Sequence, residues 1–519
     1  MKTIHISLVV VLLFGNIIST LAKNVNAGVD KTRNSNAKHM TLKEQMEFAG
    51  QNLLNSLEPE ENYLPYWLFN EKDVGWFRPA CQGHNIGRVW DALLRLEDAT
   101  GFEIPKEVEA GMLANTWEYC DNPSGILLDH PDHNDARNWY IHSYRETMLA
   151  FSALVRFRNN KKALKAGHNA IERMSKASAN LNQWNFKPLS QPFKPWQSLT
   201  YSHGRAIEGI VRFYEATGDP IALNEAGRLA SFHLGNTVNT DGSLANGCGH
   251  HTHSYLNTLR GLILYGELTH QQKYIDVVAA TYHNAIQDMI SPSGFICHDI
   301  GPFNFGEVAS AGDVAQIALW LWRNNNDPEL LDDVERIVRA RLLPSQIIQG
   351  HKHHLGALGG IVGVTSGKTA VTDITAATLH SLIDVYNSIV ERNHNDIFVN
   401  FHFDYEDESV SILSKRDTSA TITVDISGNE NLFIRIPGWS PSESVKVQVN
   451  GFDEPVIRHG AYVFIPGMSN GLKVKVEYAL PEHLDTEVAD REYHFKWRGD
   501  EIVGASPVGK DHPFYPEYY

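Results

Sequence analysis

From about residue 41 to residue 392, apolar side chains recur every three or four positions, the period of helices that bury one face. The helices come in pairs. Residues 86–99 stop at Thr100-Gly101 and a second helix starts from Pro105, while residues 207–216 stop at Thr217-Gly218-Asp219-Pro220 and are followed by residues 222–233. The same arrangement recurs around Leu268-Thr269-His270 and Asn324-Asn325-Asn326-Asp327-Pro328, with a weaker copy at Asn159-Asn160. Gly, Asn and Asp-Pro are the residues expected where one helix stops and another begins. The turns repeat roughly every 50 to 60 residues, a spacing that marks a repeated supersecondary unit. Adding the amphipathic stretches 42–57 and 370–391 gives about twelve helices, or six hairpins. Six hairpins closed on themselves form an (α/α)6 toroid. The first helix of a pair is apolar nearly all round, as in Ile317-Ala318-Leu319-Trp320-Leu321-Trp322, which suits an inner ring; the second is one-sided, as in residues 330–337, which suits an outer jacket.

After His394 the period shifts to two. Residues 409–413, 421–426, 432–436, 445–449, 461–465 and 472–478 alternate apolar with polar and are separated by Gly, Pro and Asn. Short strands so spaced predict an antiparallel β-sandwich. The fold class is therefore mainly α with β: a catalytic barrel over 28–394, then a β-sandwich domain and C-terminal tail over 395–519.

The chain starts with Met1-Lys2-Thr3 and an apolar run from Ile6 to Ile18, with small residues at Ala22 and Ala27, so residues 1–27 read as a signal peptide and the mature protein as periplasmic or secreted. No later segment holds the roughly 18 uninterrupted apolar residues of a membrane span. A net charge of -16 argues against nucleic acid, which is held by clustered Lys and Arg. Cys81, Cys120, Cys248 and Cys297 form no C-x-x-C pair, which disfavours a structural zinc site. Export permits a disulfide, and spacing does not choose a pairing.

Candidate chemistry gathers in the loops that lead into the inner helices, which a toroid brings to one mouth. The richest is Gly247-Cys248-Gly249-His250-His251-Thr252-His253-Ser254-Tyr255. The others hold His84, Asn85 and Arg88; His142, Tyr144 and Arg145; Tyr201, His203 and Arg205; Glu307; and His351, His353 and His354. Taken singly, each histidine reads equally well as a cap or a satisfied core residue. Arg88, Arg145 and Arg205 pair as readily with neighbouring Asp91, Glu146 and Glu208. Jointly, histidines at the same end of successive hairpins suit a carboxylated sugar: aromatic faces stack on the ring, and Arg and His neutralise the carboxylate. The histidine runs also offer imidazoles to a metal, but no H-E-x-x-H spacing accompanies them, so neither a metal nor another cofactor is expected.

The segments Ile434-Arg435-Ile436-Pro437-Gly438-Trp439, Val449-Asn450-Gly451 and Gly460-Ala461-Tyr462-Val463 resemble the sandwich attached to the (α/α)6 barrels of bacterial β-L-arabinofuranosidase-like glycosidases. In that family a Glu-Thr-Cys segment opens an inner helix, and its cysteine is the nucleophile at a zinc site. The matching segment here is Glu307-Val308-Ala309, in which alanine removes both nucleophile and zinc ligand. The wider pattern of His84-Asn85, residues 250–255 and Gly306-Glu307-Val308 is similar to barrel enzymes of Bacteroidetes that act on terminal uronic acids, including exo-β-glucuronidases and a dehydratase of ulvan oligosaccharides. The resemblance implies a uronate substrate.

Hydrolysis uses two carboxylates facing each other across the scissile bond, and Glu307, Asp313, Asp132 and Glu146 offer no evident pair. Elimination needs a base for the proton at carbon 5, a donor against the carboxylate and an acid for the group leaving carbon 4, and the inventory of His, Tyr and Arg fits this better. The expected reaction is dehydration to a 4,5-unsaturated uronate terminus. The expected catalytic residues are His251, His253, Tyr255, His203 and Glu307; substrate binding falls to His84, Asn85, Arg88, His142, Tyr144, Arg145, Tyr201, Arg205 and His250. The alternatives are an exo-acting hydrolase (β-glucuronidase or β-L-arabinofuranosidase-like), with Glu307 as acid or base, and a non-catalytic carbohydrate-binding protein. The expected partner is an oligosaccharide. Sequence leaves open the oligomeric state and whether the tail from Asp511 packs on the barrel or on a second subunit.

Overall fold

The computed structural model describes residues 40–78, 82–122, 124–127, 143–178, 181, 199–468 and 471–518. Residues 1–27, read from sequence as a signal peptide, together with Cys81, Asp132 and His142, lie outside these residues. Thr41–Tyr519 forms one unit. In chain order its main helices are α1 (Leu42–Asn55), α2 (Gln82–Thr100), α3 (Lys106–Cys120), α4 (Ser143–Arg158), α5 (Lys161–Ala177), α6 (Ala206–Thr217), α7 (Pro220–His233), α8 (Thr252–Thr269), α9 (Gln272–Thr281), α10 (Val308–Asn325), α11 (Pro328–Ile337) and α12 (Thr372–Tyr386).

Local chemistry sets the ends of several. Thr41 Oγ1 accepts from Glu44 N–H at 3.2 Å while the Glu44 carboxylate accepts from Thr41 N–H at 2.7 Å, a reciprocal cap for α1. Asp219 and Asp327 cap α7 and α11, each with proline at the first helical position, where the missing N–H costs nothing. The even-numbered helices pack each on the next, and α12 returns to α2, so six inner helices close a ring. Every residue from Val308 to Trp322 of α10 is buried, whereas α11 buries only one face, as the two sequence patterns require. Close approach of the inner helices depends on small residues. A Cβ on Gly87 of α2 would stand 2.4 Å from the Glu146 carbonyl oxygen, and one on Gly209 of α6 would stand 2.5 Å from that of Arg145.

The strands of the second layer are β1 (Val390–Asn393), β2 (Asp396–Val399), β3 (Tyr405–Glu406), β4 (Val410–Arg416), β5 (Ser419–Ile426), β6 (Asn431–Arg435), β7 (Lys446–Val449), β8 (Phe452–Glu454), β9 (Arg458–His459), β10 (Tyr462–Ile465) and β11 (Leu472–Ala479). They form sheets ordered β3-β4-β5-β11-β7-β8 and β9-β10-β6-β2-β1. Alternation fixes the register: buried Ala420, Ile422, Val424 and Ile426 oppose buried Tyr478, Val476, Val474 and Leu472. One pair departs from the antiparallel expectation. Strands β2 and β6 run parallel, because the chain crosses through the other sheet between them. A final three-stranded sheet, β12 (Glu482–Val488), β13 (Glu492–Arg498) and β14 (Glu501–Ser506), follows. The tail packs back on the barrel, with Phe514 N–H donating to Thr365 and the Tyr515 hydroxyl to Ala340.

Arg435 on β6 ties the sandwich to the outer helix α11. It is fully buried, donates to the Asn400 carbonyl at 2.6 Å and pairs with Asp332 and Glu335. Removing one partner of such a buried group strands the others. Arg435→Met is therefore expected to cost about 3 kcal/mol or more in urea unfolding.

Acid should also loosen the fold. Burial holds both the His203 and His402 imidazoles down at about 3, against 6.5 when unfolded. Folding thus favours their neutral forms, so this stability is complete above pH 6.5 and is lost as pH falls towards 3. Melting temperature should drop steadily from pH 7 to pH 4, with a shallower slope for His402→Gln; an unchanged slope would remove His402 from the account.

Candidate active site

The leading ends of the inner helices meet around a polar centre. His84 of α2 lies 3.3 Å from Glu146 of α4 through Nδ1 and 3.3 Å from Asp373 of α12 through Nε2. Arg145 forks onto Glu208 at 2.9 and 2.7 Å and reaches Glu146 at 2.9 Å. Arg205 donates to Glu146 at 2.8 Å, and Arg260 joins Asp313 at 2.7 Å to Glu208 at 2.5 Å. Arg88 stands 3.4 Å from Glu146 and donates to the Asp373 carbonyl at 2.9 Å. Four guanidiniums are thus interleaved with the carboxylates of Glu146, Glu208 and Asp313, and Asp373 joins through its backbone carbonyl and His84. The pairs cross between helices, apart from the Arg145–Glu146 contact. Asp91, expected beside Arg88, pairs instead with Arg95 at 2.7 Å and His380 at 2.6 Å. Burial alone would push Glu146 up, but Arg205, His84 and Arg145 bring it well below the usual carboxylate range.

His253 is enclosed in this network. Burial, then the charges of Arg88, Arg205 and Arg145, hold it well below its ordinary value, so the ring is neutral. A guanidinium can only donate, so the 2.5 Å contact from Arg88 Nη2 assigns the lone pair to His253 Nε2, and Nδ1–H then donates to Asp313 at 2.5 Å. Both ring nitrogens are committed, and His253 acts on the site through Arg88.

Above the network, partly exposed side chains converge. The loop before α8 is knitted to the loop before α10: Thr252 N–H donates to the His298 carbonyl at 2.9 Å, Ile300 N–H to the His250 carbonyl at 2.6 Å, and His298 N–H to the Phe305 carbonyl at 2.8 Å. This brings the His251 and His298 rings to 4.6 Å between centroids. Glu307, at the start of α10 and held by pairing with Ile361, presents its carboxylate 3.9 Å from His251 Nε2 and 3.5 Å from His298 Nε2. Burial raises the Glu307 carboxyl, and the charge of Asp373 adds to the rise. Tyr201, in a π-turn (Thr200–Gly204) ahead of α6, meets His251 edge-on at 5.4 Å.

The other predicted residues are placed differently. His203 is fully buried, bonded through Nδ1 to His233 at 2.7 Å, against Phe232. Tyr255 is fully buried beside Cys248 and Thr281, on the face of α8 away from His253 and Asn257. Tyr144 is buried near Glu225 and Arg228 of the outer layer, and His250 is exposed. Asn85 is fully buried, with neither amide atom hydrogen-bonded among the described residues. Sequence reasoning missed His298, Asp373 and Arg260. The adjacent Asp299, 2.8 Å from His298 Nδ1, was the available signal for the first.

His251, His298 and Glu307 are the described residues whose donor atoms, all within 4.8 Å of one another, suit a cation. Ala309, two residues after Glu307, is a buried alanine, and the Cys297 thiol points to the Asn304 carbonyl at 3.8 Å.

No protein-family profile and no curated protein matches the sequence. Among solved structures, a β-L-arabinofuranosidase of glycoside hydrolase family 127 from Geobacillus stearothermophilus T6 is 12% identical, with 90% of this chain and 83% of that one covered at a TM-score of 0.59. A second family 127 β-arabinofuranosidase is 14% identical, covering 90% and 82% at 0.62. A sugar epimerase from a ruminal bacterium is 11% identical, covering 66% and 98% at 0.50. The chain thus has the fold of these carbohydrate-active (α/α)6 proteins, and shares with the arabinofuranosidases the β domain that follows the toroid.

Proposed function

We propose that this protein is an exported carbohydrate-active enzyme that removes water from the terminal uronate of an oligosaccharide, leaving a 4,5-unsaturated end. The observation that carries the reading is the convergence of inner-helix N-termini on a mouth whose partly exposed side chains are His251, His298, Glu307 and Tyr201. Positive helix ends over a floor of guanidiniums favour an anionic ligand. The Arg205 Nε atom is buried without a hydrogen-bond partner among the described residues, which leaves a donor for a carboxylate. The sugar-processing neighbours of the fold and the signal-like leader add to the case.

In the elimination, a base takes the proton from carbon 5, the electron pair forms the carbon 4–carbon 5 double bond, and the carbon 4 hydroxyl leaves as water after accepting a proton. His251 and Tyr201 flank the mouth on one side and are assigned the proton transfers. His253 positions Arg88, while His203 and Tyr255 support the packing behind them. A second reading has one observation in its favour: Glu307, raised by burial and by Asp373, has the character of a glycosidase acid.

Incubation with a uronate-terminated oligosaccharide decides between them by mass spectrometry and ultraviolet absorbance. Loss of one water with rising absorbance is expected; free uronate would replace elimination with hydrolysis, and an unchanged mass would leave binding alone. Tyr201→Phe and His251→Ala should each lower turnover by about 10²–10⁴ with the circular dichroism intact.

A further inference from the structure

We infer that His251, His298 and Glu307 form a binding site for one first-row divalent cation of zinc-like preference. Tetrahedral coordination by imidazole and carboxylate at about 2.0–2.1 Å sets ligand atoms about 3.3 Å apart. The Glu307 carboxylate lies 3.5 Å from His298 Nε2 and 3.9 Å from His251 Nε2, and the three donor atoms fall within 4.8 Å of one another, so modest side-chain rotations bring them onto one ion. The far nitrogens are occupied in the manner of metal-bound histidines. His298 Nδ1 is 2.8 Å from the Asp299 carboxylate, and His251 Nδ1 is 2.7 Å from Ser254 Oγ, which also accepts from Arg205. With Nδ1–H donating on each ring, two Nε2 lone pairs and a carboxylate face one another, an arrangement that a cation resolves.

Charge points the same way. Among the described residues the Glu307 carboxylate is ion-paired with His251 and His298 and with no guanidinium, whereas Glu146, Glu208 and Asp313 are each held by arginines. All three ligands are partly accessible, with side chains 12%, 24% and 15% exposed, which leaves room for a further ligand from solvent. A cation there, when bound, polarises an oxygen ligand. With His251 Nε2 engaged, Tyr201 is the remaining proton-transfer group on that side. The inference does not rest on the proposed reaction, because metal binding is read without substrate.

The test strips the whole protein with a chelator, equilibrates it with Zn(II) or Co(II), desalts it, and counts metal by plasma mass spectrometry alongside the visible spectrum of Co(II). About one equivalent is expected, with a tetrahedral Co(II) spectrum. Glu307→Gln and His298→Ala should each weaken binding by about 100-fold and abolish that spectrum, and Asp299→Asn, on the loop surface, should weaken it by about 10-fold. His353→Ala, in a separate histidine cluster, should bind as the wild type does. Absence of retained metal in the wild type, or wild-type affinity in both Glu307→Gln and His298→Ala, overturns the site.

Discussion

Eight charged groups share the centre of the helical ring, and the barrel can exist only because they neutralise one another. Taking a guanidinium or carboxylate out of water costs several kcal/mol unless its partners are near and well oriented. Glu146 shows how the condition is met: Arg205 and Arg145 donate to it, with Arg88 and His84 close by. This demands that inner helices approach closely, which Gly87 and Gly209 permit by letting α2 and α6 touch the backbone of α4. Small residues on the walls and large charged ones at the centre are one solution to one packing problem. The network also stiffens the floor beneath the mouth, since no member can turn away without stranding another.

That constraint explains what could be read from the chain. Helix pairing was legible because its signals are local: a 3.6-residue period, then Gly or Asp-Pro at the turn. The ring followed from counting pairs. Apart from Arg145–Glu146, the charge pairs were not legible, because partners such as Arg88 and Glu146 are 58 residues apart and meet only when the ring closes. Local spacing suggested Asp91 for Arg88, yet Asp91 sits one turn along and meets His380 of α12. His298 was hidden for a related reason. It belongs to a loop without periodicity, and reaches His251 only through backbone bonds between two such loops.

The segment that carried the family resemblance illustrates a different limit. Arg435 in Ile434-Arg435-Ile436-Pro437-Gly438-Trp439 is a fully buried strut between the sandwich and α11, and Gly438 N–H donates to Asp332 in the same joint. A motif that joins two layers reports how the layers are joined. It carries information about fold and none about the reaction, which depends on residues at the mouth of the ring such as His251 and Glu307.

Within the histidine-rich loop, residues two positions apart have different chemistry because of what saturates their nitrogens. His253 faces the ring centre, where Asp313 and Arg88 take Nδ1 and Nε2, so its ring can orient a guanidinium but has no atom left for substrate. His251, at the start of the helix, has Nδ1 held by Ser254 and Nε2 directed at Glu307 across a gap longer than a hydrogen bond. Tyr255, on the far face of α8, meets only core. The 100° step of the helix sorts three chemically able neighbours into a positioning residue, a reactive or ligating one, and a structural one. A loop of histidines therefore marks the place of a site, while the count of unsaturated nitrogens after folding decides which of them the site uses.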